Sequence, residues 1–211
     1  MELSEIFYSI QGESTFAGLP CIFIRLSGCN LRCVYCDTKY AYTKEFELSV
    51  DEILKEIKKY SPISLVEVTG GEPLLQEDTY LLLDKLIKEK YQILLETNGS
   101  ILLNRVPKEV IKIVDIKTPG SKMSHKMNWE NINYLNLKDE IKFVITDKKD
   151  FDWAIEKVKD YNLLQYNVLF SPAYNMIEPR ILAEWIKEEK IPIRMQLQLH
   201  KIIYNDRMRK I

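Results

Sequence analysis

The stretch Cys29-Asn-Leu-Arg-Cys33-Val-Tyr-Cys36 organises this chain. Three cysteines at x3 and x2 spacing can face one point from a single short loop. Thiolates are soft ligands suited to zinc or to iron–sulfur centres. A closed structural zinc site needs a fourth ligand, and no second Cys-x2-Cys pair is present to complete a zinc ribbon. A three-thiolate 4Fe–4S cluster instead leaves one iron open to a substrate or cofactor. A small zinc site and a redox dithiol are the competing uses of the same thiols. Cys21, inside the apolar run Cys-Ile-Phe-Ile-Arg-Leu, reads as a buried strand residue.

The length of 211 residues fits one domain spanning 1–211. Charged residues make up 29% and hydrophobic ones 46%, an ordinary globular composition. A net charge of −1 gives no global field that would favour nucleic acid as a partner. No signal or transit pattern opens the sequence, and no apolar run is long enough to span a bilayer. The expectation is a cytoplasmic protein with reduced thiols, where metal binding outranks disulfide formation.

Apolar, β-branched runs at 21–26, 65–69, 92–96, 112–116, 140–146 and 167–170 predict strands. Amphipathic patterns predict helices at 49–60, 77–90, 148–161 and 178–189. The first has Val50, Ile53, Leu54 and Ile57 at i, i+3, i+4, i+7 and a Ser49/Glu52 capping box; Pro179 suits the first turn of the last. Polar residues collect after each strand: Gly70-Gly71-Glu72-Pro73, Glu96-Thr97-Asn98-Gly99, Lys117-Thr118-Pro119 and Ser171-Pro172-Ala173-Tyr174. Alternation of this kind argues for parallel βα units, which bind ligands at the carboxyl ends of their strands. Residues 193–200 alternate too, with Ile193, Met195, Leu197 and Leu199 on one side and Arg194, Gln196, Gln198 and His200 on the other. They predict a strand with one polar face. Residues 122–137, rich in Asn, Lys and Met, read as a mobile connection with no assigned chemistry.

Some positions carry chemistry by residue type. Arg25 interrupts an apolar strand, so it sits at an edge or aims into a polar cavity, since burial without a partner is costly. Pairing with a carboxylate is the natural use of its guanidinium. Paired glycines at Gly70 and Gly71 permit close backbone approach. Gln11-Gly12-Glu13-Ser14 is either a simple turn or a place where backbone meets a ligand.

The cysteine loop after one strand and Gly-Gly-Glu-Pro after another together resemble the radical S-adenosylmethionine (SAM) enzymes. Three further segments resemble one family among them, the 7-carboxy-7-deazaguanine synthases. These are Phe7-Tyr8-Ser9-Ile10-Gln11-Gly12-Glu13, Cys36-Asp37-Thr38, and the ending Gln196-Leu-Gln-Leu-His200-Lys201. That family makes the deazaguanine precursor of the tRNA bases queuosine and archaeosine. The resemblance covers nearly the whole chain. It implies a partial (β/α)6 barrel of the radical SAM type with reduced helical content, short of the closed eight-fold barrel of about 250 residues.

The resemblance also implies roles. Cys29, Cys33 and Cys36 would hold a 4Fe–4S cluster and Thr38 a Mg²⁺. Tyr35, Cys36, Asp37, Gly70, Gly71, Glu72, Glu96, Asn98, Lys117, Thr118, Ser171, Pro172, Ala173 and Tyr174 would meet SAM. Here Lys117-Thr118-Pro119 stands where relatives often carry Ser-Pro-Lys. Ile10, Gln11, Gly12, Glu13, Arg25, Thr69 and His200 would meet the substrate, 6-carboxy-5,6,7,8-tetrahydropterin. The implied reaction is a carbon–nitrogen lyase step that contracts the ring and expels ammonia. No side chain beyond the cofactor ligands is implied as catalytic. Implied partners are the small pterin, an electron donor such as flavodoxin or ferredoxin, and a second copy in a homodimer. In some relatives the terminal carboxylate reaches the substrate, whereas here the sequence continues through Asn205 to Ile211. Two rival readings are a glycyl-radical activase, which shares the cysteine spacing, and a non-enzymatic zinc or iron–sulfur module.

Overall fold

The computed structural model describes residues 1–204; Asn205 to Ile211 lie outside the described residues. The strands are β1 (Glu2–Ile10), β2 (Pro20–Leu26), β3 (Phe46–Glu47), β4 (Leu65–Gly70), β5 (Gln92–Thr97), β6 (Ile111–Ile116), β7 (Glu140–Ile145), β8 (Asn167–Pro172) and β9 (Arg194–Met195). The helices are α1 (Val50–Ile57), α2 (Asp78–Lys88), α3 (Lys148–Asp160), α4 (Pro179–Glu189) and α5 (Leu199–Tyr204). All nine strands join one sheet in the order β3-β1-β2-β4-β5-β6-β7-β8-β9. From β2 through β9 neighbours run parallel, and β1 runs antiparallel to both β2 and β3. The edges β3 and β9 do not pair with each other, so the barrel is partial, as the sequence implied. The expected six-strand core is β2 and β4 to β8; β1, β3 and β9 extend it.

Local chemistry sets these elements. The capping box forms: the Glu52 N–H donates to Ser49 Oγ (3.3 Å) and the Ser49 N–H to Glu52 Oε2 (2.8 Å). Pro179 occupies the first turn of α4. In α3, Phe151, Ala154, Ile155 and Val158 are buried, the stripe that the period predicts. Every residue of β6 is buried, charged ones included, as expected for a strand covered on both faces.

The sheet sorts its residues into two apolar groups. The larger lies between sheet and helices and includes Ile24, Val66, Leu95 and Phe143 with Ile53, Leu82 and Val158. The smaller is Phe7, Cys21, Phe23, Leu65, Leu94, Ile111 and Ile113. Phe7 and Phe23 stack at 4.8 Å. Cys21 is fully buried there, away from the other cysteines, as its setting predicted.

Two expectations are corrected. Residues 193–200 do not form a full strand: only Arg194–Met195 pair with β8, and α5 starts at Leu199. After Met195 the backbone leaves the sheet edge and crosses to the β1–β2 turn, where the Leu199 N–H donates to Gly12 O (2.9 Å). The two sides switch along the segment: Ile193 is buried and Arg194 exposed, whereas Gln196 is 5% exposed and Leu197 40%. Residues 122–137 are not a loose connection either. They form 3-10 turns at Ser124–Lys126 and Trp129–Tyr134. Buried Asn131 secures them, donating to Gly99 O (3.0 Å) and Ile101 O (2.9 Å) and accepting from the Leu103 N–H (2.9 Å). Such bonds replace the ladder that an irregular segment lacks.

Candidate active site

Side chains alternate along a strand, so residues two apart share a face. On the inward faces the lower positions are apolar and the upper ones polar. Phe23 is followed by Arg25, Leu65 by Glu67 and Thr69, Leu94 by Glu96 and Asn98, and Ile113 by Asp115 and Lys117. The stacked aromatic layer thus floors a cavity whose walls are charged, at the carboxyl ends of the parallel strands.

All three loop cysteines line this cavity, together with Tyr35, Asp37 and Thr38. So do Ile10, Gln11, Gly12, Glu13, Arg25, Thr69, Gly70, Gly71, Glu96, Asn98, Lys117, Ser171, Pro172, Ala173, Tyr174 and His200. The cysteines are free thiols, and the Cys36 N–H donates to Cys33 O (3.2 Å), which winds the loop. Burial pushes the Cys33 thiol up to about 11, with Lys117 partly opposing it.

The paired glycines clamp the cysteine loop to the sheet. The Gly71 N–H donates to Leu26 O (3.2 Å) and the Glu72 N–H to Gly28 O (2.8 Å). A Cβ on Gly70 would lie 2.2 Å from Leu26 O, and one on Gly71 2.1 Å from Gly28 O. Gly70 also has φ +151°, which only glycine adopts freely. The glycine pair is thus required first by chain-to-chain packing.

Two expected SAM contacts face elsewhere. Glu72 is fully buried and accepts from the Leu74 N–H (3.0 Å), the Asn98 N–H (2.7 Å) and the Thr97 hydroxyl (2.9 Å). Burial raises it to about 7 against these bonds. It braces the end of β4 to the end of β5 and so sets Asn98, whose amide donates to Asn30 Oδ1 (3.0 Å) on the cysteine loop. The Thr118 hydroxyl, also buried, lies within donating distance of Asp150 Oδ2 (2.8 Å) and Val144 O (3.0 Å). It ties the strand ends to α3.

The opposite wall is a network of charges. Arg25 donates through Nε to Glu5 Oε1 (2.9 Å), which also accepts from the Tyr40 hydroxyl (2.8 Å). Gln11 donates to Glu67, and burial, then the neighbouring Glu96, push Glu67 up to about 8. Glu13 accepts from Lys142 Nζ (2.9 Å), Gln196 Nε2 (3.0 Å) and Gln198 Nε2 (2.9 Å). The Thr38 hydroxyl donates to Asp37 Oδ1 (2.8 Å), and Asp37 Oδ2 pairs with Lys201 (3.2 Å). Burial alone would raise Asp37, but Lys201 and then the Thr38 hydroxyl outweigh it and hold Asp37 at about 2. His200 packs where a Cβ on Gly12 would stand, 2.4 Å from its Nδ1.

Sequence reasoning missed Glu5, Tyr40, Glu67, Asp115 and Lys142, all in this wall, while Gln198 and Lys201 stand in it within the ending that the resemblance quoted. The signal was available for three of them. Glu67, Asp115 and Lys142 interrupt apolar parallel strands just as Arg25 does.

Comparison with known proteins bears on these residues. The Radical SAM superfamily profile matches residues 23–186. A 7-carboxy-7-deazaguanine synthase of Koribacter versatilis (strain Ellin345) is 41% identical, covering 97% of this chain and 97% of its own. A protein of the same name from Chlorobaculum tepidum is 44% identical over 97% of this chain and 94% of its own. The chain belongs to the 7-carboxy-7-deazaguanine synthase family. The crystal structure of QueE from Escherichia coli shares the fold, with a TM-score of 0.76 over 94% of both chains at 24% identity.

As a radical SAM deazaguanine synthase, the chain uses a 4Fe–4S cluster and SAM. The residues fit both groups. Three free thiols of one loop line one cavity, next to the glycine-bearing strand end. Among the described residues no three His, Cys, Asp or Glu side chains converge on a single-ion site. A cube of four irons would not ask for that convergence, since each thiolate would bind a different iron. The deazaguanine synthase fold also holds, among the described residues, no helix long and apolar enough to cross a membrane.

Proposed function

We propose that this chain converts 6-carboxy-5,6,7,8-tetrahydropterin to 7-carboxy-7-deazaguanine with loss of ammonia, as a carbon–nitrogen lyase in the synthesis of 7-deazapurine tRNA bases. The observation that carries this reading is a single cavity lined both by three free cysteines and by a charged wall suited to a pterin. Cys29, Cys33 and Cys36 would hold the cluster, and Gly70, Gly71, Glu96, Asn98, Lys117 and the 171–174 segment would flank SAM. When bound, these groups supply a 5′-deoxyadenosyl radical by one-electron reductive cleavage of the sulfonium.

The substrate half follows from its chemistry. The pyrimidine edge of a pterin presents N–H donors, and Glu13 offers a carboxylate. The pterin carboxylate suits Arg25, whose pair with Glu5 uses only Nε of its five donors. The aromatic floor of Phe7 and Phe23 suits the flat ring. Arg25→Ala is expected to raise the pterin KM by roughly 10- to 100-fold, the loss of a charge-assisted pair. SAM affinity, read by equilibrium dialysis, should stay within twofold. A KM change under threefold would make Arg25 a partner of Glu5 alone.

A Mg²⁺ on Thr38 is part of the proposal. The Thr38 hydroxyl spends its hydrogen on Asp37, which leaves oxygen lone pairs for a hard cation. Mg²⁺ keeps waters and borrows ligand atoms from its substrate, so one protein oxygen is enough. Thr38→Ala should raise the half-saturating Mg²⁺ concentration about tenfold, a loss of roughly 1.4 kcal/mol, with SAM affinity unchanged. An unaltered Mg²⁺ titration would leave Thr38 as a support for Asp37.

The deciding experiment is anaerobic turnover of reconstituted protein with the pterin, SAM, Mg²⁺ and a strong reductant, read by mass spectrometry. 7-Carboxy-7-deazaguanine is the expected product. 5′-Deoxyadenosine without it would keep the radical chemistry and favour another substrate, including the activase reading.

A further inference from the structure

We propose that Lys142 is a positioning residue that ties Glu13, Glu96 and Asp115 together at one ammonium and so presents the Glu13 carboxylate to the pterin as an anionic acceptor. The inference rests on the pterin reading above and adds to it a residue with no assigned role.

Lys142 lies on β7 with a side chain only 5% exposed. Its Nζ is 2.9 Å from Glu13 Oε2 and 3.4 Å from Asp115 Oδ2, and it donates to Glu96 Oε1. One ammonium therefore touches three carboxylates from three separate parts of the fold: the β1–β2 turn, β5 and β6. Asp115 has a second cation, Lys117 at 2.8 Å. Glu13 and Glu96 have no other ion pair among the described residues. Glu96 also accepts from the Thr69 hydroxyl (3.1 Å), so the ammonium sits between the two expected half-sites.

Glu13 is faced by Lys142 on β7, His200 on α5 and Glu67 on β4. Glu96 is faced by Glu67 on β4 and by Lys142. Glu67 adds negative charge when it ionises, and Arg25 on β2 is engaged with Glu5. Burial holds His200 below its ordinary value, so it is not a permanent cation at neutral pH. Burial alone would raise Glu13, and Lys142, then His200, outweigh it. Without the ammonium, burial and repulsion from Glu67 would both favour the protonated form of Glu13. A protonated carboxyl offers a pterin N–H edge a weaker, single acceptor in place of a charge-assisted one.

The test is binding, apart from turnover. Oxidised holoenzyme without reductant is titrated with 6-carboxypterin, followed by pterin fluorescence, from pH 5.5 to 8.5. The parent is expected to hold its affinity at the acid end, once the ligand's own ionisation is taken from the shared curve. Lys142→Met is expected to lose affinity about tenfold per pH unit below a raised ionisation, and to recover as pH rises. Lys142→Arg, which keeps the charge, should follow the parent. If the methionine variant does not fold, Lys142→Gln carries the same expectation. A neutral variant parallel to the parent, or folded and equally weak at every pH, overturns the inference. So does Lys142→Arg behaving like Lys142→Met. Failure of the parent to bind the pterin at any pH instead removes the pterin reading, and this inference with it.

Discussion

Cys33→Ala is expected to retain under a tenth of the parent's iron and acid-labile sulfide, and to give no 5′-deoxyadenosine with SAM and reductant. Each of three thiolates would hold a separate iron, and the loop carries no spare cysteine. Cys33 is the most buried of the three, so water cannot easily take its place. Burial raises its thiol to about 11, and metal binding must displace that proton, so loading is coupled to pH. Cys29→Ala and Cys36→Ala should match it. Cys21→Ala is the control: fully buried in the inner apolar layer, it should leave iron content intact. Full iron in any of the three loop variants, or loss of iron in the control, would remove the ligand assignment.

The second large effect is steric. Gly71→Ala places a methyl 2.1 Å from Gly28 O and 2.8 Å from Cys29 Cβ. The first of these is backbone on the cysteine loop, so no rotamer change relieves the contact. The end of β4 must part from the loop, breaking the bonds from Gly71 to Leu26 O and from Glu72 to Gly28 O. Overpacking of this kind costs about 1–3 kcal/mol, and each kcal/mol lowers the melting temperature by roughly 2–4 °C at this size. Iron loading and SAM affinity should fall together, because one strand end supports both. A variant with the parent's melting temperature, iron content and SAM affinity would show that the clamp is not needed.

The sequence was legible where its periods matched its packing. The α3 stripe, the α1 capping box and the alternation of parallel strands with helices all followed from residue spacing. Strands covered on both faces gave weaker information, because continuous apolar runs hide which face looks inward. Glu67, Asp115 and Lys142 were therefore passed over, although each breaks such a run. The 193–200 segment misled for the opposite reason. Its alternation arises because an irregular backbone turns its glutamines onto Glu13 and Ser14, a contact between chain ends that no local pattern encodes. Glu72 and Thr118 belong to motifs that flank the cavity, but their side chains face away from it, and residue type alone does not give direction.

The glutamines that close the cavity bind partners 182 to 185 positions earlier in the chain. Strand pairing from β1 to β8 requires none of those contacts. During synthesis the barrel can therefore assemble from its amino end while one wall of its mouth is still absent. A chain stopped before Gln196 would keep the cysteine loop, the glycine clamp and the Lys142–Glu13 pair, yet strip Glu13 of both glutamine amides.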